Sequence, residues 1–521
     1  MPEPIDPTGE VFVEADDAPP ESLEPTGDEP ERRGALRTAG VISGRVVLGL
    51  VTVAALAVLV AAAILLPLPG LRSTPTSTVV TPVPSAAQLV CPGGLLRLAS
   101  SSGASATSVS TIGAARVTAA ADPGSLLSSP FAVTDAGSAG GSAAPQLLTT
   151  PPVEAGATAP LVGGAQSETV SNSEYSGLAA AGCTEPSADV WLAGGATSVG
   201  RTTLLLLSNP TQVASVVSIQ LFGETGRITA PGMDGIAVPA GAQRVLSIAG
   251  FAPNVVSPVV HVQSTGGQVS ATLEQTTVRG LAPGGADFVG GTPAPALTTV
   301  LPGIVVTGTA SMQALQGQAG FEDLETTLRI YLPSSSATTA SVSILAENGG
   351  LLGKPIQADL QPGTVTDFPL DQFSDGDYTA VVTSAVPVIA SVRVSTADAA
   401  AATASGSTTA GGTDFAWVTA APLLTSSVLV PIASGMTPAL HLENPSGTSE
   451  TVLLHALSGP DVTAVVPAHK AVTVSVVAGN TYRMSGFTRL YASVSGTGDG
   501  KVTSYAISPL QHGEGPLRVY G

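Results

Sequence analysis

Apolar and polar residues alternate with a period of two along much of the chain. Val388, Ala390, Val392 and Val394 fall on one side, with Ser391, Arg393 and Ser395 on the other. Val217, Ile219 and Leu221 alternate with Ser218 and Gln220, and Val472, Val474 and Val476 with Thr473 and Ser475. Successive side chains of a strand point to opposite faces, so each stretch predicts a strand with one face in a core and the other toward water. Turn signals recur about every ten residues, the spacing of a β-sandwich. Among them are Asn209-Pro210 and Asn444-Pro445. A residue before proline is pushed out of helical geometry, which makes both pairs turn initiators.

From about residue 186 the pattern repeats. GGADFVGGTPAPALTTVLPGI (284–304) is echoed by GGTDFAWVTAAPLLTSSVLVPI (411–432), and more distantly by SADVWLAGG (187–195). A strand ending in a Pro turn follows each: LLLLSNP (204–210), LRIYLP (328–333) and LHLENP (440–445). The chain therefore predicts a mainly β protein with three tandem immunoglobulin-like sandwich modules, at 186–284, 285–410 and 411–521. SDGDYTA (374–380) is similar to the tyrosine corner of such sandwiches, in which a Tyr opens a core strand and bonds back to the preceding loop. Here Ser374 stands where Asp is usual and Ala380 where Cys is usual, so sandwich class follows and immunoglobulin membership does not. The run AAAATASGSTTAGG (399–412) predicts a hinge at the end of the second module.

One stretch breaks the alternation. Residues 46–66 (VVLGLVTVAALAVLVAAAILL) are apolar without a charge, and about 20 such residues suffice for a helix to cross a bilayer. Arg32, Arg33, Arg37 and Arg45 precede the run and only Arg72 closely follows it. Basic residues near a span stay in the cytoplasm, which places the N-terminus inside and the bulk of the chain outside the cell. Pro67, Pro69 and Gly70 follow the run where a signal peptide would carry a small-residue cleavage site, so an uncleaved anchor is expected. The reading is then a disordered acidic cytoplasmic tail (1–43), a single transmembrane helix (44–67) and a Pro/Ser/Thr-rich stalk (68–90). The tail carries eleven acidic residues and seven prolines within residues 1–31, too polar to offset the entropy of ordering.

Composition narrows the partners. A net charge of -19, from 38 acidic against 19 basic residues, argues against nucleic acid. The membrane is the expected partner, together with other envelope proteins. The two cysteines, Cys91 and Cys183, have no zinc-like spacing. On the exported side they predict one disulfide closing a low-complexity β segment at 91–185. Such a closure stabilises by roughly 4–5 kcal/mol on the chain-entropy model.

Cys91-Pro92-Gly93, Cys183, the run Trp191-Leu192-Ala193-Gly194-Gly195 and the Leu-rich strand into Asn209-Pro210 carry a family resemblance over residues 40–521. The chain resembles an uncharacterised family of actinobacterial membrane-anchored exported proteins, a domain of unknown function. The resemblance implies cell-envelope work beside a membrane glycosyltransferase, and it carries over no catalytic or binding residues.

Candidate chemistry is thin. His441 and His455 flank the turn around Thr448 symmetrically, so a simple hairpin would set them across from each other, able to share a metal or a proton. His441 lies between Leu440 and Leu442 and is assigned to the exposed face; solvent-facing strand histidines are the plainer reading. Asp371, Asp375 and Asp377 surround a glycine turn and could offer oxygens to Ca²⁺, but the spacing is not that of an EF-hand loop, and turn chemistry is the default. No G-x-S-x-G elbow occurs, no His is evidently beside a Ser and an Asp, and the Gly runs lack P-loop order. Trp191 and Trp417 read as core anchors. Neither enzyme activity nor a cofactor is expected. The function predicted is a non-catalytic scaffold or accessory factor in envelope assembly. Two alternatives stand beside it. A carbohydrate-binding or glycan-processing ectodomain would expose Tyr331, Tyr482 and Tyr491 along a groove, and an adhesin would pair through free strand edges.

Overall fold

The computed structural model describes residues 39–65, 77–80, 86–98, 108–134, 143–152, 159–280, 282–370, 373–398, 412–510 and 517–520. Residues 1–38 of the predicted acidic tail, most of the stalk, residues 399–411 of the predicted hinge (399–412) and Asp371 lie outside them, whereas residues 39–43, assigned to the tail, belong to the helix that starts at Ala39. The chain divides into two units, one running through Val80 with Arg518–Gly521 and the other comprising Thr81–Leu517.

The first unit contains a 27-residue helix, Ala39–Leu65. Its described side chains, at residues 48–61, are all exposed; Leu48, Val51, Leu56, Val58 and Leu59 keep between 57% and 67% of their surface. Among the described residues no helix is long and apolar enough to cross a membrane.

The second unit is built of packed sheets. In the stretch that follows the disulfide segment, Asp189–Ala193, Val259–Thr265, Ser215–Gly223, Gly226–Ile228 and Ile236–Val238 form one sheet. Ala282–Val289, Ser270–Arg279, Arg201–Asn209, Ala242–Ser247 and Ala132–Val133 form another. Val217, Ile219, Leu221, Val260 and Val262 from the first meet Leu205, Leu207, Ala271 and Leu273 from the second in one hydrophobic cluster. Leu204 and Leu206 point the other way, into a cluster with Leu95, Val109, Val170 and Ala179. A sheet buried on both faces needs apolar residues at every position, which is why four leucines run together here.

The disulfide joins Cys91 to Cys183 across 92 positions. The segment it closes is a set of short sheets, Ser176–Gly182 with Leu161–Ser171 and Arg116–Asp122, and Gln88–Cys91 with Gln146–Thr149 and Leu127–Pro130.

Further on, the strand Gly376–Ala397 serves two sheets. Its first half pairs with Ala296–Val306 and Thr338–Ala346, its second with Thr327–Tyr331 and Thr413–Thr419. Val388, Ala390, Val392 and Val394 are buried in the core as their alternation predicts. Ser391 and Ser395 are fully buried as well, contrary to the water-facing side assigned to them. Ser391 is the register neighbour of Arg329, whose guanidinium donates to the carbonyls of Gly195, Val256 and Pro258 in loops of the preceding region, and Ser395 is the register neighbour of the buried Phe415. The supposed outer face is an interface. The Tyr378 hydroxyl donates back to Ser374 O at 3.0 Å and its ring stacks on Phe373.

The last pair of sheets comprises Val428–Pro431, Thr481–Ser485, Glu450–Ala456 and Val462–Val466 on one side. Ala471–Ser475, Thr437–Glu443, Tyr491–Gly498 and Lys501–Ala506 lie on the other. Val452, Leu454, Leu440, Leu442 and Val494 fill the space between them. Asn209 and Asn444 perform the same task in their respective sheets. Each amide Oδ1 accepts the N–H two residues on, from Thr211 or Ser446, while Nδ2 donates to carbonyls across the turn.

Four edge strands close the unit. Ser176–Gly182, Ala282–Val289, Thr413–Thr419 and Lys501–Ala506 each end a sheet and pack against one another in a ring. An edge strand presents unpaired N–H groups, which cost free energy if buried bare. Two aspartates from the repeated motif supply the acceptors. Asp414 takes N–H groups from Leu178 (3.0 Å), Val502 (3.2 Å) and Ala286 (3.2 Å). Asp287 takes the Trp417 N–H (2.8 Å) and the Thr503 hydroxyl (2.8 Å), and Thr503 Oγ1 accepts the Ala180 N–H. Gly177 permits the approach: a Cβ there would lie 2.5 Å from Ala286 N.

Candidate metal centre

The polar residues singled out in the sequence are distributed differently from expectation. His441 and His455 are not cross-strand partners. Thr437–Glu443 pairs with Ala471–Ser475 and Tyr491–Gly498, which puts His441 opposite Thr473 and Ser493, whereas His455 lies on the facing sheet. His455 is exposed and meets Asp461 at 3.0 Å. His441 is completely buried. The alternation that sends Leu440 and Leu442 into one core sends His441 toward the neighbouring module rather than into solvent. Asp375 is exposed and accepts the N–H groups of Gly308 and Thr309, which open the helix Thr309–Gln316. It takes no part in the centre, and Asp371 lies outside the described residues.

Asp377 does meet His441, through a residue that sequence reading passed over. Glu347 follows the strand Thr338–Ala346 and enters a turn at Asn348-Gly349. Its backbone N–H donates to Asp377 O (2.9 Å), which fixes the two acidic residues side by side. The Glu347 Oε2 atom lies 2.6 Å from His441 Nδ1 and accepts from the Thr473 hydroxyl at 2.8 Å. Its Oε1 atom accepts from Thr379 (2.9 Å) and from the Gly303 N–H (3.2 Å). Thr473 Oγ1 is also 2.9 Å from Asp377 Oδ2. His441 Nε2 is 2.7 Å from Ser495 Oγ. One ligand atom each of Glu347, Asp377 and His441 can be chosen so that all lie within 4.8 Å of one another.

The centre thus spans strands of the second predicted module on one side and of the third on the other. Gly303 makes the approach possible. Its φ of 80° lies in the left-handed region, and a Cβ there would come within 2.8 Å of the His441 ring. Burial pushes the Glu347 carboxyl up, but the His441 charge and the bonds from His441, Thr473 and Thr379 outweigh it and hold the group below its usual range. Burial pulls His441 down, and the charge of Glu347, with its bond and the charge of Asp377, raises it overall.

Ser495, His441 and Glu347 are connected as a hydrolase relay is, although the sequence suggested no His beside a Ser and an acid. Ser495 is 2% exposed and His441 0%. A nucleophile so enclosed cannot meet a carbonyl from solution without a structural opening, so the arrangement acts as an inter-module bond.

The other anticipated side chains pack. Trp417 is buried in the first hydrophobic cluster and donates its indole N–H to Gln275. Trp191 stacks on His261 at 3.7 Å and packs against Phe222 and Tyr331. Tyr331 and Tyr482 are 3% and 1% exposed, and Tyr491 is half-buried. The first two cannot form an exposed sugar platform, because the Tyr331 ring packs against Trp191 and Phe222 and the Tyr482 ring lies in a core cluster. A second charged cluster gathers Arg201, Arg279 and Arg393 on Asp323. Burial alone would raise that carboxyl; Arg393, Arg279 and Arg201 hold it well below its usual range.

A mainly β protein with a buried histidine and glutamate and a half-buried aspartate brought together between its sheets is what this arrangement defines. The model of the Family of unknown function (DUF5719) matches residues 132–485, well over half of the chain, and the chain belongs to that family. Glu347, Asp377, His441 and Thr473 lie inside the matched region, while Cys91 and Ser495 lie outside it. No curated protein matches the chain. Among solved structures, the "Crystal Structure of Thermotoga maritima 1070" is similar at 15% identity and a TM-score of 0.16, covering 19% of this chain and 81% of that one.

Proposed function

We propose that this chain is a single-pass, membrane-anchored, extracytoplasmic β-repeat protein and a non-catalytic scaffold or accessory factor in cell-envelope assembly. The helix Ala39–Leu65 carries the reading. It keeps leucines and valines exposed on every side, and a helix apolar all round belongs in a protein core or in lipid. Burying each such side chain is worth about 1.5–3 kcal/mol. The charge-free run 46–66 and the four arginines before it orient the helix with its N-terminus in the cytoplasm.

The Cys91–Cys183 disulfide fits an oxidising, exported location. The Tyr378–Ser374 bond fits immunoglobulin-like sandwiches at 186–284, 285–410 and 411–521. The four edge strands of the ring engage one another, which favours a body that presents faces over one that polymerises through those edges. Its partners would be other envelope proteins, including a membrane glycosyltransferase held beside it in the bilayer. Protease added to intact cells tests the reading. Residues 81–517 should be attacked without lysis; protection that disappears only on lysis would overturn it.

A further inference from the structure

We propose that Glu347, Asp377 and His441, with Thr473, bind a zinc-class divalent cation that ties the second module to the third. The inference is independent of membrane anchoring and rests on a count of hydrogens. Thr473 Oγ1 is 2.8 Å from Glu347 Oε2 and 2.9 Å from Asp377 Oδ2, but a hydroxyl has a single hydrogen to donate. With both carboxylates ionised, one of these contacts sets oxygen lone pairs against each other. A cation among Glu347 Oε2, Asp377 Oδ2, His441 Nδ1 and Thr473 Oγ1 removes that conflict. Its two positive charges match the two carboxylates.

The surroundings are those of supported ligands. A metal-bound imidazole directs its other ring N–H to an acceptor, and a ligating carboxylate is held by its second oxygen. Here His441 Nε2 faces Ser495 Oγ at 2.7 Å, and Glu347 Oε1 is held by Gly303 and Thr379. Binding displaces the proton from His441 Nδ1 to solvent and opens the 2.6 Å contact with Glu347 by about 0.7 Å, to the ~3.3 Å that separates tetrahedral zinc ligands. Half-buried Asp377 is the side from which an ion can enter. One imidazole and two carboxylates are zinc ligand types, with the Thr473 hydroxyl beside them and a fourth position left for water. Calcium prefers six or more oxygens.

The test uses the full chain in detergent, stripped with EDTA, titrated with zinc sulfate and dialysed. About one zinc should remain per chain by elemental mass spectrometry, with a melting temperature several degrees above that in EDTA. Asp377→Asn should melt cooperatively in EDTA and lose the zinc-dependent rise. Ser495→Ala should keep the site with affinity reduced about 10- to 100-fold. A folded wild-type chain that retains no zinc and melts identically in zinc and EDTA would overturn the proposal. So would an Asp377→Asn chain that retains zinc like the wild type.

Discussion

At the ring of edge strands, Asp414 and Asp287 accept mainly backbone N–H groups, from Leu178, Ala286, Val502 and Trp417. Between the strands Gly376–Ala397 and Thr437–Glu443, Glu347 instead accepts chiefly from side chains, those of His441, Thr473 and Thr379. Both clusters are buried and both join segments distant in sequence. Backbone donors cannot rotate away or be exchanged for a metal, so the ring is a fixed joint in its geometry. Side-chain donors can do both, which makes the Glu347 centre a joint that can rearrange.

The comparison breaks most visibly at Asp414. Asp414→Ala orphans three buried N–H groups at about 1–3 kcal/mol each, a sum comparable with the whole stability of a typical domain, about 5–15 kcal/mol. The expected outcome is a chain that no longer accumulates folded, read by limited proteolysis. Glu347→Gln, measured in EDTA, removes one partner of a buried ion pair and should cost about 3–5 kcal/mol in denaturant unfolding. It should leave the chain folded.

Acidity sharpens the contrast next. Burial raises Asp414 to about 7 against the pull of its backbone donors, and raises Glu168 to about 7 against the Leu95 N–H. A carboxyl raised in the folded state adds stability that is fully present below its unfolded pKa and is lost as pH rises through the folded value. The lowered groups, Glu347 and Asp323, act in the opposite sense, and only as pH falls below the usual carboxylate range. The urea midpoint should therefore be higher at pH 5 than at pH 8. The smallest effect belongs to His455, whose pairing with Asp461 is exposed and screened by solvent. His455→Ala should melt within a degree or two of wild type, beside a His441→Ala chain that does not.

Much of this architecture is legible in the residues. The alternation at 217–221 and at 388–394 marks true cores, the paired Asn-Pro turns act alike, and the two cysteines are bonded. The Gly-Gly-x-Asp-Phe repeat locates Asp287 and Asp414, and an aspartate repeated inside an apolar strand is a readable sign of a buried acceptor. Faces beyond the first core are not legible. Alternation assigned Ser391, Ser395 and His441 to water because it registers one core per strand, whereas neighbouring sheets cover the second face. Glu347 gave no signal at all. An acid ahead of Asn348-Gly349-Gly350 reads as turn chemistry, and only tertiary packing brings His441 to it.

Amide hydrogen exchange at the ring tests the fixed joint most directly. Peptides containing Leu178, Ala286, Trp417 and Val502 should exchange as slowly as interior strands such as Arg201–Asn209 and become labile together. Exchange of any of these peptides as fast as the exposed edge strand Ile356–Leu360 would contradict a ring closed by Asp414 and Asp287.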